Sequence, residues 1–177
     1  DTVTIMLDTS GMALHKRGYR KVANLAPIRE TLAAGILDIA RIYPDTQLYD
    51  PFCGSGTFLI EAAYKAKNIA PGIYRRFAAE KWDSLPSKIW QTSREEAIEK
   101  IRKDIEFTAF GSDISQDSLE IAEANARRAG IAGLVRLEKM NVKNFTMPDR
   151  KSLVVTNPPY GERLMNGEDL TKLYQTM

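Results

Sequence analysis

The chain has 177 residues, of which 44% are hydrophobic and 27% charged, as expected for one ordinary globular domain. Its net charge of +2 is too close to neutral to indicate a nucleic-acid partner by itself. A single cysteine, Cys53, excludes an internal disulfide and suits a reducing compartment, and a single histidine, His15, argues against a metal site or a Ser-His-Asp triad. Because no apolar run reaches about 18 residues and no signal peptide is visible, we expect a cytoplasmic protein without a membrane span.

The pattern of apolar and turn-forming residues predicts the secondary structure in chain order. Residues 3–7 alternate weakly and predict a short strand, which ends at a turn over 8–11. Apolar residues at helical spacing predict a helix over 27–41, with Pro27 in a first turn that tolerates proline. The next predicted elements are a strand at 47–49, a glycine-rich turn at 50–57 and a helix at 58–67.

The segment 68–92 contains several proline and glycine residues and is predicted to be irregular. Ser93 with Glu96 forms a capping box, which predicts the start of a helix whose apolar stripe continues to Ile105. The remaining predicted elements are a strand at 107–111 that leads to Asp113, a helix from Ser115 or Gln116 to Ala129 with Gly130 as its stop, and strands at 135–140 and 152–156.

Strands and helices therefore alternate along the chain. This order predicts an α/β fold with a parallel, doubly wound sheet and helices on both faces. Ligands bind such sheets at the carboxyl ends of the strands, where polar residues become candidates for a site. Residues 68–106 lengthen one crossover, and we treat them as an insertion.

A glycine-rich turn follows the strand at 47–49, with the sequence Asp50-Pro-Phe-Cys-Gly54-Ser-Gly56-Thr57. Glycines at this position let the backbone approach a ligand closely and adopt dihedral angles that other residues avoid. The turn lacks the Lys-Ser/Thr ending of a phosphate loop and begins with an acid, which would repel a phosphate. It favours a ligand with an ammonium group, such as the methionine end of S-adenosylmethionine; the alternative is a plain strand-to-helix turn.

Two polar residues follow the next two strands. The carboxylate of Asp113 could accept both hydroxyl groups of a ribose, or it could only cap the following helix. Its distance from Gly56 is nearly three times the usual spacing, because of the insertion. The amide of Asn141 could contact an adenine ring, or it could form a local turn.

The most specific motif is Asn157-Pro158-Pro159-Tyr160, directly after the last predicted strand. An exocyclic amino group of a base is a poor nucleophile, because its lone pair is delocalised into the ring. The Asn157 side-chain oxygen and the Pro158 carbonyl could accept the two amino hydrogens and localise that lone pair. Tyr160 could stack on an extruded base. The alternative is a rigid loop without a chemical role.

A basic stretch near the start, from His15 to Lys21, interleaves basic side chains with Tyr19. This composition is typical of a segment that contacts phosphates. It is equally typical of an ordinary solvated surface.

Together these residues resemble a known family, the THUMP-containing class I RNA methyltransferases. The similarity is strongest to the bacterial branch that methylates the 2-amino group of guanine in 23S rRNA, whose members are often labelled N6-adenine-specific DNA methylases. It runs over essentially the whole chain, in the stretches Leu14–Arg20, Ala26–Ala33, Asp50–Thr57, Asn68–Gly72 with Phe77 and Trp82, and Asn157–Arg163.

The resemblance implies a Rossmann-like class I methyltransferase domain over residues 26–177 that binds S-adenosylmethionine and acts on RNA. It implies cofactor contacts by Asp50, Phe52, Cys53, Gly54, Gly56, Thr57, Asp113, Ile114 and Asn141. Asn157, Pro158 and Tyr160 would hold the base, and RNA contacts would come from His15, Lys16, Arg17, Tyr19, Arg20 and Arg163. One departure is Asn141, which stands where many relatives have Asp.

The same resemblance implies a chain that is truncated at both ends. Residues 1–25 would follow a THUMP RNA-binding domain, and the fold usually has seven strands, whereas this chain stops soon after the fourth. A DNA adenine methyltransferase, a protein glutamine methyltransferase and a relative that binds RNA without catalysis are the competing functions. The flanking stretches favour RNA.

Overall fold

The computed structural model describes residues 2–21, 27–146, 148 and 152–159. Their elements are α1 (Glu30–Ala40), β1 (Gln47–Asp50), α2 (Thr57–Ala66), a 3₁₀ turn (Ala78–Lys81), α3 (Ser87–Glu99), β2 (Thr108–Asp113), α4 (Gln116–Arg128), β3 (Val135–Lys139) and β4 (Ser152–Val154), with further 3₁₀ turns at Ala132–Leu134 and Val142–Asn144. None of the helices in these ranges has the length and apolar character needed to cross a membrane.

The four described strands form one parallel sheet in the order β3-β2-β1-β4. This confirms the predicted α/β, Rossmann-like class. The chain moves outward from β1 through β2 to β3 and then returns to pair β4 with the other side of β1. The direction of winding therefore reverses between β1 and β4, and the carboxyl ends of the strands at such a reversal are the usual place for a ligand in this class of fold.

Helix α1 packs against α2, helix α2 packs against β1 and β2, and helix α4 packs against β2 and β3. Leu48 of β1 and Ala109 of β2 have no exposed surface and lie in the same hydrophobic core. Helix α2 is buried on almost every side, because it packs against α1 and against the strands β1 and β2. On β1 and β2, the rings of Tyr49 and Phe110 stack with their centroids 4.8 Å apart and are only half-buried.

The strand predicted at residues 3–7 is wrong. These residues form no strand in the described structure, and Val3, Ile5 and Leu7 are between 76% and 85% exposed. Alternation predicts only which residues share a face. A strand also needs a neighbour to accept its hydrogen bonds, and no described strand pairs with this segment.

Two helix starts also differ from the prediction. The capping box at Ser93 is wrong, because α3 begins six residues earlier, at Ser87. Pro86 immediately precedes the helix and has the fixed backbone angle that suits a helix start. Helix α1 begins at Glu30, three residues after Pro27, since Arg29 is still extended.

The turn after β1 depends on its two glycines. Gly54 and Gly56 have positive φ angles of 49° and 80°, a region that L-residues with a Cβ avoid. A Cβ on Gly56 would also lie 3.1 Å from the Cβ of Ala122 on α4. The glycines therefore allow both the left-handed turn and the close approach of α4 to the start of α2.

We predict that Gly56→Ala lowers the free energy of unfolding of the full-length protein by about 1–3 kcal/mol, because the added Cβ meets both a left-handed backbone and a crowded contact. Gly35→Ala is the matched control. Gly35 lies inside α1 with open space around it, so alanine there should raise stability by about 0.5–1 kcal/mol. Denaturant unfolding measures both. Equal effects of the two substitutions would contradict this account of the turn.

Candidate active site

Polar residues follow the ends of the neighbouring strands at one edge of the sheet. Asp50 ends β1, Asp113 ends β2, and Thr156 and Asn157 follow β4. The backbone N–H of Val155 donates to the carbonyl of Tyr49 at 3.0 Å, so the chain after β4 stays beside the end of β1. Among the described residues, no group of three or more His, Cys, Asp or Glu could hold a metal ion.

The carboxylate of Asp50 lies at the centre of this edge and is 2% exposed. Its Oδ1 accepts hydrogen bonds from the backbone N–H of Phe52 at 3.2 Å and from the hydroxyl of Thr156 at 2.6 Å. Burial, with a smaller effect of the nearby Asp113, raises the pKa of Asp50 to about 7 against the lowering effect of these two bonds. No basic side chain among the described residues forms an ion pair with Asp50.

Asp113 holds the glycine turn against the end of β2. Its Oδ2 accepts from the N–H of Gly54 at 3.0 Å, and its Oδ1 accepts from the N–H of Ser115 at 2.9 Å. The N–H of Cys53 donates to the carbonyl of Ser112, which adds a second connection between the turn and β2. The cap of α4 is Ser115, whose hydroxyl accepts from the N–H of Ser118. Asp113 therefore does more than cap a helix.

The other residues of this edge that were predicted to contact the cofactor differ in the burial and in the partners of their side chains. Cys53 is 5% exposed, packs against Gly111 of β2, and has its thiol pKa raised by burial. Thr57 is 3% exposed, and its hydroxyl is occupied by Arg20. Phe52 is half-buried, whereas Ile114 is 67% exposed. Cys53 and Thr57 thus shape the turn, and only Ile114 presents a largely free apolar side chain.

Asn141 forms a local turn. Its Oδ1 accepts from the N–H of Lys143 at 3.0 Å and caps the short 3₁₀ turn after β3. The residue is exposed.

Asn157 and Pro158 follow Thr156 directly and are half-buried. The bond from Thr156 to Asp50 places them next to the glycine turn. Tyr160 and Arg163, the other two residues predicted for this region, lie outside the described residues.

Three members of the basic stretch have inward-facing partners. Glu61 of α2 is 2% exposed and accepts from the Tyr19 hydroxyl at 3.0 Å and from Arg17 at 3.4 Å. Burial raises the pKa of Glu61, and Arg17 and Tyr19 partly offset that effect. Burial also raises the pKa of Tyr19. The stretch is therefore attached to α2 through buried polar groups.

Arg20 makes the second attachment. Its guanidinium donates to the Thr57 hydroxyl at 2.6 Å and to the carbonyl of Ile28 at 3.1 Å, and it lies 3.4 Å from Glu30 of α1. This side chain joins the basic stretch to α1 and to the first residue of α2. In contrast, Lys16 and Lys21 are exposed, and His15 is half-buried.

Sequence reasoning missed three residues of this region. Glu30 and Glu61 are the acids that neutralise the inward-facing arginines, and Thr156 binds Asp50. Glu61 had a visible signal, since it is a single acid in the otherwise apolar stretch Phe58–Ala63. Thr156 stands beside the Asn-Pro-Pro motif, but nothing in the sequence indicates that its partner lies 106 residues away.

The fold and the strand-end residues define a class I methyltransferase type of domain, with a glycine turn after β1, an acid after β2 and Asn-Pro-Pro after β4. Residues 17–177 match the family model described as UPF0020, "RMKL-like, methyltransferase domain". The chain belongs to this family.

Relatives and solved structures agree with that assignment. The chain is 44% identical over 177 residues to "Putative RNA methyltransferase YpsC" of Bacillus subtilis, and it covers 46% of that protein. It is 44% identical to "Ribosomal RNA large subunit methyltransferase K/L" of Psychromonas ingrahamii, over 98% of this chain and 24% of that protein. A crystal structure described as "SMU.472, a putative methyltransferase complexed with SAH" superposes with a TM-score of 0.90 at 41% identity, over 96% of this chain and 44% of that one. The chain thus spans less than half the length of these proteins.

We predict that ionisation of Asp50 lowers the free energy of unfolding as the pH rises. Folding raises its pKa from 3.8 to about 7, so the folded protein holds this proton more tightly than the unfolded chain. The contribution of Asp50 to the free energy of unfolding is therefore most favourable below about pH 4 and is lost between about pH 4 and pH 7. Asp50→Asn keeps an oxygen that can accept from Thr156 but cannot ionise.

Denaturant unfolding of the full-length protein between pH 5 and pH 8 tests this prediction. The wild-type protein should lose stability relative to Asp50→Asn as the pH rises to 7, and the difference should then stay constant. Parallel curves for the two proteins over the whole range would mean that Asp50 does not titrate as described.

Proposed function

We propose that this domain transfers a methyl group from S-adenosylmethionine to an exocyclic amino nitrogen of a base in RNA. The observation that carries the proposal is a buried acid, Asp50, which has no described cationic partner and lies between a glycine turn and an Asn-Pro-Pro segment. The relatives named as RNA methyltransferases and the similar structure with bound SAH support it.

The residues at the strand ends fit the cofactor. S-adenosylmethionine supplies a methyl group activated by a positively charged sulfonium, and it also carries an ammonium group. Asp50 would complement that positive charge, which a phosphate-bearing ligand lacks. Asp113 has lone pairs beyond its two backbone bonds and would accept ribose hydroxyl groups. Ile114 would cover one face of the adenine, and Asn141, whose Oδ1 accepts from the N–H of Lys143, would contact the adenine edge through its side-chain NH₂ group.

Asn157 and Pro158 would hold the acceptor amino group. With both amino hydrogens bonded to the Asn157 Oδ1 and the Pro158 carbonyl, the nitrogen lone pair points at the methyl carbon. This pair forms the N–C bond while the C–S bonding pair leaves with sulfur, and the nitrogen then releases one proton to solvent. Positioning and electrostatics lower the barrier, and no general base is required. Tyr160 would supply the stacking face for the base.

The finer substrate proposal is the 2-amino group of guanine in 23S rRNA, in the cytoplasm. It rests on the ribosomal RNA enzyme among the relatives and on the flanking stretches of the Asn-Pro-Pro motif. Adenine in DNA is the competing substrate, since its amino group is bound by the same motif. A transfer assay that compares ribosomal RNA, DNA and protein as methyl acceptors separates these substrates.

RNA contacts by the basic stretch divide into two groups. Lys16 and Lys21 are exposed and would contact phosphates directly, with His15 beside them. Arg17, Tyr19 and Arg20 have protein partners and would hold the stretch in place. Arg163, outside the described residues, would contact RNA near the acceptor site.

We predict that Asn157→Ala lowers kcat of the full-length enzyme by about two to three orders of magnitude, the effect of losing one preorganised polar contact at a reacting centre. Asn157→Asp should be less damaging, because it keeps an acceptor for the amino hydrogens. Transfer of a tritiated methyl group to ribosomal RNA that lacks the modification measures both.

Calorimetry of cofactor binding is the control for this experiment. The Asn157 side chain is expected to face the base, so the cofactor Kd of Asn157→Ala should stay within about 3-fold of wild type. If kcat of Asn157→Ala stayed within about 3-fold of wild type, the amino group would have to be held elsewhere and the proposed function of the motif would be wrong.

We predict that replacing Lys16 and Lys21 together by Ala weakens RNA binding by a similar factor for every sequence and lowers the slope of log Kobs against log salt by about 1–2. Lys103→Ala, at another exposed position, should leave that slope unchanged. Filter binding at several salt concentrations measures the slope. An unchanged slope in the double variant would assign the stretch to an ordinary solvated surface.

A further inference from the structure

One side-chain hydrogen bond joins the two halves of the candidate site. The Thr156 hydroxyl donates to the Asp50 Oδ1 at 2.6 Å, between residues that are 106 positions apart. Asp50 ends the strand that leads into the glycine turn, and Thr156 immediately precedes Asn157. The bond therefore connects the proposed cofactor turn with the proposed acceptor segment.

The backbone gives the acceptor segment few other connections to the sheet. Strand β4 has only three residues, which pair with β1 at Gln47–Tyr49. The last ladder bond is the one from the N–H of Val155 to the carbonyl of Tyr49. Pro158 and Pro159 have no N–H and cannot extend the ladder. After Val155, the described contact between the acceptor segment and the end of β1 is therefore made by the side chain of Thr156.

The acceptor atom of this bond also holds the glycine turn. The same Asp50 Oδ1 accepts the N–H of Phe52 at 3.2 Å, two residues into the turn. The turn and the acceptor segment are therefore positioned relative to one atom. This atom is buried, so water does not compete with the Thr156 hydroxyl for it, and the bond is strongest when the carboxylate is ionised.

We propose that Thr156 is a positioning residue for methyl transfer, which sets the distance and angle of the Asn157-Pro158 acceptor groups relative to the cofactor turn through its hydrogen bond to Asp50. The inference rests on the proposed function. A displacement of about 1 Å at a reacting centre costs up to about 100-fold in rate. Thr156 acts mainly on the rate of transfer, because it directly precedes the segment that would hold the base, while Asp50 keeps its other hydrogen bond, from the N–H of Phe52, on the cofactor side.

The test compares Thr156→Val and Thr156→Ser in the full-length enzyme. Valine keeps the size and the branched shape of threonine and removes the hydroxyl donor, whereas serine keeps the donor and removes a methyl group. We expect Thr156→Val to lower kcat about 10- to 100-fold with the cofactor Kd within about 3-fold, and Thr156→Ser to retain kcat within about 3-fold of wild type. The readouts are single-turnover methyl transfer, calorimetry with S-adenosylhomocysteine, and thermal unfolding.

Thr46→Val is the matched control at the opposite end of β1. The Thr46 hydroxyl oxygen also makes a side-chain hydrogen bond, in this case with the N–H of Tyr43, and it is far along the strand from the site. This control should leave kcat unchanged. If the bond at Thr156 were merely structural, both valine variants would lower the melting temperature and neither would lower kcat at a temperature where they stay folded.

Two outcomes overturn the inference. One is a kcat of Thr156→Val within about 3-fold of wild type. The other is an equal loss in Thr156→Val and Thr156→Ser, which would make packing of the threonine side chain the cause. Asn157→Ala separates this failure from failure of the proposed function: if Asn157→Ala abolishes transfer and Thr156→Val does not, only the role of Thr156 is wrong.

Discussion

The candidate site depends on a carboxylate buried at the point where the sheet reverses its direction of winding. Asp50 is at the end of the central strand β1, with β2 on one side and β4 on the other. Its buried charge is unfavourable unless it is hydrogen-bonded or met by a positive ligand, and burial raises its pKa to about 7. The same group orders the turn on one side and the Asn-Pro-Pro segment on the other. An acid in this place thus combines a structural role with the proposed electrostatic preference for a cationic cofactor.

Most of the fold could be predicted from local pattern. The helix α4 was predicted to within one or two residues, because Ser115 at its start and Gly130 after its end are strong local signals. The strands β1, β2 and β3 were predicted to within two residues at each end, because each is a short segment bounded by turn residues. Residues 3–7 show the limit of this reasoning, since their alternation is genuine but no described strand pairs with them.

The sequence predicted which strand ends carry the polar groups of the candidate site. It did not predict which of those side chains are free to face a ligand. Arg17, Tyr19 and Arg20 have the composition of a phosphate-binding surface, and their partners Glu61 and Glu30 turn them inward. A charged residue in a sequence does not reveal whether a buried acid lies opposite it in the fold. Burial and pairing are decided by contacts between distant parts of the chain, which one sequence does not display.

The separation between Asp50 and Thr156 has a consequence for the order in which the domain is assembled. Contacts over 106 residues form late, because the chain between them must first be closed into a loop. During synthesis the glycine turn, β2 and β3 leave the ribosome before β4, and they can already pair with one another. The nascent domain would therefore form the proposed cofactor turn first, and the proposed acceptor segment would be added only when the final described strand pairs with β1. A chain released before that stage would carry the glycine turn without the groups proposed to hold a base.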